Sequence, residues 1–581
     1  MATSGQAGAA ATPHPSSAGS MSRPAPIDPS GGGLHRQASR AATPKHTVPN
    51  PLLKEQFSLA GNDNGADPTV SALCQSFIGQ PTPYHAIAPN VDAINGDNIT
   101  VAGSSAGCST TQNETTVAVN PFNPRNVVAG SNDYRIFNAR ENRNDASGWA
   151  YTSFDGGKTF TNVELPKLNL QTGAAAPLSY MDSAGDPAIT FGPFNTVYYA
   201  TLVFSRAAVP ATQQQASGIA VSVSHDGGLH FGAPAIVHLD GVTAAGTPTP
   251  TSIFNDKEWI AADPVSGTVY VTWTQFTFDA AGNFLESPVV ESASRDFGRT
   301  WTSLRRVAPS LVGFTGGITP FGSGSNPQVA NDGTLFVAYE TSVCATVACN
   351  APTDHDAVVL ATSKDGGRTF KNSEVSLDFD FPFSADVGNN VVTGENFRMN
   401  SFPQLAYDRL TNRLWVTWAD DRNGQYANGV SVRSNGDVFL AGATPGGAHW
   451  STPAKIGTAS DEFYPAVAAL AGQVAVSFYT RAYDPNGVGL DFAYVAGRGS
   501  EAAETPIRRI TTQTSDPRIQ FPIIGQVSGQ VLQGGFIGDY TAVAIGADLR
   551  IHPVWTDFRG NPGTTQPNQD VVTQSIPILF H

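Results

Sequence analysis

The chain has no run of Lys and Arg, no apolar stretch near the ~20 residues a bilayer helix needs, and only 4 Cys among its 581 residues. Each shortage excludes something. The 33 Lys and Arg stand against 48 Asp and Glu, a net charge of −15, so neither nucleic acid nor an anionic membrane is an expected partner. Nothing in the chain is built to span a bilayer as a helix. The first residues lack the apolar core of a secretory signal. Residues 1–70 are poor in large apolar side chains and show no periodicity; they are rich in Ala, Ser, Pro, Gly and Thr. Such a segment buries too little surface to offset its ordering entropy, and disorder is expected there.

The four cysteines fall into two pairs by position, Cys74 with Cys108 and Cys344 with Cys349. An even count fits disulfides and an extracellular or periplasmic compartment, with free buried thiols in a cytosolic protein as the alternative. A zinc site is not expected, because no further Cys or His cluster accompanies the close pair.

What is present is a repeated turn. Ser153, Asp155, Gly157, Thr159 and Phe160 recur as Ser224, Asp226, Gly228, His230 and Phe231, then as Ser294, Asp296, Gly298, Thr300 and Trp301, and as Ser363, Asp365, Gly367, Thr369 and Phe370. The serines are 71, 70 and 69 residues apart, and an eroded fifth copy runs from Ala443 to Trp450. A long fixed period marks a repeat architecture. Each copy joins two apolar, β-rich runs, so it reads as a hairpin turn in which Asp accepts from backbone N–H groups and Gly supplies positive φ. The motif is a fold staple.

The pattern S-x-D-x-G-x-T-W/F resembles the Asp-box of the bacterial neuraminidase repeat, found in sialidases and other β-propellers. Seven larger units can be counted around the turns, their first strands opening near Glu114, Asp186, Glu258, Asn326, Phe402, Tyr464 and Asp539. The reading is an all-β, seven-bladed propeller of four-stranded antiparallel blades over residues 111–581. A six-bladed, sialidase-like ring is the alternative. Residues 71–110 are an ordered lead-in. The seventh unit has only three strands of its own, and a closed ring leaves no free edge, so the segment 98–102 is expected to supply the fourth.

The repeated turns mark the structural side of the ring, which puts function on the opposite face. There second strands end near Asp133, Arg135, Arg206, Asp420, Asp421, Arg422, Arg481, Asp557 and Arg559. First strands begin there with Glu114, Asp186, Asp256, Glu258, Asp461, Glu462, Asp539 and Tyr540. Arginine forks bind carboxylates, and a carboxylic acid can donate a proton. The resemblance implies an arginine clamp on the carboxylate of an acidic sugar, a Tyr–Glu nucleophile pair and an Asp acid/base, a departure from the two-carboxylate pattern. On this chain the clamp falls to Arg135, Arg422, Arg481 and Arg559, and the nucleophile to Tyr540 with Glu258 or Glu462. The acid is Asp133 or Asp539. The family's Arg-Ile-Pro motif is absent. Ion pairs bracing neighbouring loops are the alternative reading of Asp421-Arg422 and of Asp557 with Arg559.

No cofactor is expected, although Asp420-Asp421 and Asp354-His355-Asp356 offer oxygens of the kind that hold Ca²⁺. Asn98 and Asn113 match glycosylation acceptors. The functional expectation is an exo-sialidase-type glycoside hydrolase; a non-catalytic propeller binding glycan or protein competes with it. A glycan or polysaccharide is the expected partner, and the chain is expected to be a monomer.

Overall fold

Runs of small and β-branched residues form the second strands of the repeats and are largely buried, along their whole length in Leu335–Cys344 and Gln473–Thr480. A strand covered on both faces needs a sheet on either side, and a ring of sheets provides this. The computed structural model describes residues 88–95, 111–138, 140, 143–208, 214–307, 318–346, 349, 351, 353–444, 449–519, 523–559 and 569–578. Seven four-stranded antiparallel blades stand around one axis. Their innermost strands are Gln112–Val119, Ser183–Phe191, Ile253–Ala262, Ile318–Val329, Gln404–Asp408, Glu462–Leu470 and Ala542–Ile545, each beside the next, the last beside the first.

The apolar cores lie between blades. Tyr270 and Val289 of blade 3 pack on Leu335, Val337 and Tyr339 of blade 4, and Trp149 of blade 1 on Val554 and Val571 of blade 7. The ring closes with N-terminal chain: Val91–Asp92 pairs with Val572 and Thr573 as the outermost strand of blade 7. The expected closing segment, 98–102, lies outside the described residues, as do residues 1–70, Asn98, Cys74, Cys108 and residues 445–448 of the eroded fifth turn. Cys344 and Cys349 form a disulfide, Cα to Cα 4.9 Å. Asn113 is fully buried and donates to Gln569 at 3.0 Å, so the folded chain presents no glycosylation acceptor there.

The four repeated turns each join a third strand to a fourth. In the first, Asp155 Oδ1 accepts from the N–H groups of Lys158 (2.9 Å) and Thr159 (3.0 Å), and Oδ2 from the Thr159 hydroxyl (2.8 Å). Gly157 N donates to Ser153 Oγ at 2.9 Å. The glycines Gly157, Gly228, Gly298 and Gly367 have φ between 80° and 103°, where a side chain is strained. These bonds hold Asp226, Asp296 and Asp365 down at about 2. The turns also brace neighbours: Thr152 of blade 1 donates to Gly228 O of blade 2 at 2.7 Å. Asp155→Ala is expected to cost about 1 kcal/mol in a urea titration, because the orphaned N–H groups are exposed enough to find water. The same change at Asp365 should add independently, the two turns sharing no partner.

Candidate functional site

Five inner strands carry an irregularity soon after they begin, between Asn113 and Thr116, Gly185 and Ala188, Asp256 and Trp259, Ser323 and Asn326, and Phe463 and Ala466. At each, one residue takes a left-handed φ: Glu114 (55°), Asp186 (53°), Lys257 (55°), Gly324 (61°) and Tyr464 (47°). A bulge of this kind inserts one residue and re-aims its side chain. The conformation costs about 1–3 kcal/mol for a residue with a Cβ and persists only where its surroundings hold it.

Here the surroundings are one another. Lys257 Nζ of blade 3 lies 3.0 Å from Glu114 Oε1 of blade 1, 2.8 Å from Asp186 Oδ2 of blade 2 and 2.5 Å from Asp539 Oδ2 of blade 7. Arg398 comes in from the long connection between blades 4 and 5. Its Nε meets Asp539 Oδ1 at 2.7 Å and its Nη2 meets Oδ2 at 2.5 Å, with the guanidinium over the Phe536 ring. Tyr464 donates to Arg398 O and fixes the loop backbone. All five charged groups are buried.

Burial, then Asp186, pushes Glu114 well above the usual carboxyl range against the pull of Lys257. Asp186 goes the other way: burial opposes ionisation, but Lys257 and a hydrogen bond from Glu114 outweigh it. The two carboxyls titrate as one pair, in which protonation is favoured at Glu114 and ionisation at Asp186. Asn132 completes the pair, donating to Glu114 Oε2 at 2.8 Å and accepting from Asp186 N at 2.6 Å. Burial also opposes ionisation of Asp539, and Arg398 and Lys257 overcome it, holding it far below its ordinary value. Lys257 and Arg398 are thus set among Asp186, Asp539 and the buried Asp256, with Glu114 the carboxyl that favours its proton.

Three clefts meet at Lys257. One, about 440 Å³ including its mouth, is lined by Glu114, Asn132, Tyr134, Asp186, Arg206 and Phe536. A second, about 350 Å³, takes in Asp256, Asn389, Arg398, Asn400 and Asp539. The third, about 290 Å³, runs past Glu258, Trp259, Asn326, Gln404 and Tyr540.

Tyr540 thus lines the axial site, its ring edge-on to Trp259 at 5.2 Å and 5.9 Å from Lys257 Nζ. Its buried hydroxyl has no hydrogen-bond partner among the described residues, and neither oxygen of Glu258 has a side-chain partner there. The expected Tyr–Glu hydrogen bond is therefore not formed. Burial and the carboxylates around it, Glu114 first, raise the phenol well above its usual range, the reverse of what a nucleophile needs. Glu462 is elsewhere, in blade 6, held by the hydroxyls of Thr458 and Thr480, both at 2.8 Å. Asp539, doubly ion-paired, has no proton to give.

The four arginines expected to form a clamp do not converge. Arg135, Arg422 and Arg559 each fold back on the aspartate two residues earlier, Asp133 at 2.6 Å, Asp420 at 2.6 Å and Asp557 at 2.6 Å. Each also donates its backbone N–H to that carboxylate at 3.1 Å. Trp418 and Trp555 donate to the same Asp420 and Asp557, and Tyr151 to Asp133. The other edges of these guanidinium groups reach outer strands: Arg135 to Asn162, Arg422 to Leu377 O. Asp133 is consumed in the same way. Arg481 is held by Asp461 at 2.8 Å beside Glu395. An aspartate two residues before an arginine at a strand end makes a local chelate, so its guanidinium turns away from the axis. The carboxylates considered for Ca²⁺ have protein donors: Asp421 accepts from Ser431 and Asn435 N, Asp354 from Ala345 N and Ala351 N, and Asp356 from Ser342.

Lys257 and Arg398 were not among the sequence candidates. Lys257 had a signal: it follows Asp186 by 71 residues, as Asp186 follows Glu114 by 72, one position per repeat. Arg398 sits in a connection outside the repeat and has none.

No protein-family model and no curated protein matches the sequence. Among solved structures the chain is similar to the Hadza microbial sialidase Hz136 (12% identity, TM-score 0.39, 78% of this chain and 73% of that one). It is also similar to a leech intramolecular trans-sialidase (10%, TM-score 0.39, 79% and 82%) and to an alpha-L-arabinanase of Penicillium chrysogenum (9%, TM-score 0.37, 80% and 93%). At these identities and scores the similarity carries no statement about chemistry.

Proposed function

We propose that the chain is a carbohydrate-active propeller that cleaves glycosides at the axial cluster, with Glu114 as proton donor and Asp539 as the ionised carboxylate facing it. One observation carries this reading: carboxyl groups from three blades meet on Lys257 where three clefts join, one held protonated and another held ionised. Neighbouring groups driven apart in this way are the usual acid and base of a site. Two oxygens bound to one ammonium at 3.0 and 2.5 Å are at most about 5.5 Å apart, no wider than the carboxyl pair of a double-displacement glycosidase and too close for an intervening water. Sugar hydroxyls would take over the contacts of Lys257, and the Tyr134, Phe204 and Phe536 rings lining the cleft offer faces for a sugar ring.

The floor favours a neutral sugar over an acidic one, since every arginine of the expected clamp is already bound to a carboxylate. The Cys344–Cys349 disulfide supports an extracellular or periplasmic setting. The test is a panel of nitrophenyl glycosides of neutral sugars together with a sialic-acid glycoside. Turnover of a neutral member is expected. Glu114→Gln should lower kcat about 100-fold with little change in KM, and Tyr540→Phe should leave it unchanged. Hydrolysis of the sialic-acid glycoside that Tyr540→Phe abolishes would restore the tyrosine mechanism. Glycan binding without turnover would leave a non-catalytic lectin-like floor.

A further inference from the structure

Buried tyrosines of this chain spend their hydroxyls on the protein. Tyr151 donates to Asp133 at 2.8 Å, Tyr199 to Trp149 O at 2.9 Å and Tyr479 to Thr556 O at 2.7 Å, and Tyr464 holds Arg398 O. Tyr540 does not. It is 7% exposed, and its hydroxyl meets no donor or acceptor among the described residues. A buried hydroxyl left unmet costs free energy, and native chains carry few of them without a use. Tyr198 shares the lack, but it lines none of the three axial clefts, whereas Tyr540 lines the third. The protein supplies Tyr540 no partner, so whatever enters that cleft must.

The rest of the cleft suits a ligand with an apolar face and a few hydroxyls. Where the bulges of blades 1, 2, 3 and 6 carry a side chain, blade 4 has Gly324, and a Cβ there would stand 2.3 Å from the Phe402 ring. The glycine lets Phe402 come in, and with Trp259 and Pro403 it makes an apolar wall. Most polar groups of the cleft are already bonded. Ser325 donates to Thr272 at 2.9 Å, the amides of Asn326 and Gln404 meet at 2.9 Å, and Lys257 is held by its three carboxyls. That leaves Tyr540, and beside it Glu258, whose oxygens meet no side chain. Burial, then Asp186, raises Glu258 well above the usual carboxyl range, so neither group carries charge at neutral pH. A neutral ligand fits them.

We propose that the third cleft is a second sugar subsite, in which a sugar ring lies against Trp259 and Phe402 with one of its hydroxyls on Tyr540. This rests on the axial cluster being the hydrolytic site. The first cleft, with Glu114, and the third share Lys257. A bond joining two sugars, one in each cleft, therefore passes over Lys257, beside Glu114 and Asp539. The substrate class is a neutral disaccharide unit, and Tyr540 is a binding residue for the second sugar. A phenyl leaving group fills the same cleft but brings no hydroxyl to Tyr540.

The full chain and its Tyr540→Phe variant are to be compared on disaccharides of the neutral sugar that is turned over and on its phenyl glycoside. The ratio of kcat/KM for disaccharide over phenyl glycoside is expected to fall about tenfold in the variant, through KM, the worth of one hydrogen bond. Titration calorimetry with cellobiose, lactose, maltose and xylobiose reads binding without turnover. At least one is expected to bind, about tenfold more weakly to the variant. The urea midpoint should hold or rise, because the change removes a buried group that has no partner. A tyrosine with only a structural role would lower the midpoint and leave the sugar readouts alone. Glycoside turnover with an unchanged ratio, or equal disaccharide binding by both proteins, would overturn the subsite and leave the hydrolytic reading standing. Binding that weakens in the variant while no glycoside is hydrolysed would keep the sugar contact and refute hydrolysis. No disaccharide bound or hydrolysed would overturn the subsite.

Discussion

Urea unfolding is expected to show greatest stability near about pH 4–5 and a steady loss from there to about pH 8. The cause is a set of buried carboxyls with too few cations. Burial pushes Glu291 up to about 8 against Arg305 and Arg295, and Glu395 to about 8 against Arg481 and Arg518. Glu340 reaches about 8 through burial with Asp380 and Asp356 beside it. Asp421 reaches about 8 and Glu462 about 7, burial outweighing the Ser431 and Thr458 hydrogen bonds. In the unfolded chain all five titrate near pH 4.

Between that value and the folded ones the native state holds protons the unfolded state has lost, so stability falls as pH rises. Each such group contributes about 1.4 kcal/mol per pH unit, and two of the five acting fully give a slope of about 3 kcal/mol per unit. His552 opposes them: burial lowers it to about 4, so acidification below about 6.5 favours the unfolded state through this one residue. Below pH 4 these five carboxyls are protonated in both states and add no slope, and carboxyls held below their ordinary values act with the opposite sign. Asp226, Asp296 and Asp365, held at about 2, add stability above their unfolded values and lose it as pH falls through 2; being largely exposed, they add little. A urea midpoint that is flat or rising from pH 5 to 8 would refute this account.

The blade count and the side of the ring that holds the repeated turns are readable from residues because both rest on local chemistry repeated at a fixed distance. Asp155 and its equivalents need only their own turn to make their bonds. The strand ends near Arg422 and Arg559 are equally local, and of the two readings the sequence allowed there the ion pair is the one formed, Arg559 with Asp557 and Arg422 with Asp420 rather than Asp421. Trp418 with Asp420 and Arg422, and Trp555 with Asp557 and Arg559, repeat one spacing. A repeated spacing that closes on itself is a staple, whichever face it stands on. The axial cluster is different. Glu114, Asp186 and Lys257 meet because bulges turn their side chains inward from separate blades, while Asp539 comes from the approach to blade 7, and period alone signals the first three. Arg398 owes its place to a connection with no counterpart in other repeats. The closing strand Val91–Asp92 is two residues long, too short to stand out by composition.

Replacing Lys257 by Met is expected to cost about 3–5 kcal/mol at pH 7, the usual result of removing one partner from a buried ion network. The ammonium is the single contact shared by Glu114, Asp186 and Asp539, and Arg398 reaches only the last of these. Without it Asp186 faces Glu114 with no cation in hand, and its carboxyl must rise toward protonation. The loss should therefore shrink on acidification, when a second proton enters the pair. Adding Asp186→Asn removes the stranded charge and should return a large part of the stability, a non-additivity a cycle of the two single variants and the double measures directly. A pair of groups merely close in space would give additive costs. A Lys257→Met loss below about 1 kcal/mol, or one that grows at low pH, would show that the axial carboxyls are solvated rather than held together, and the pairing of a protonated Glu114 with an ionised Asp539 would fall with it.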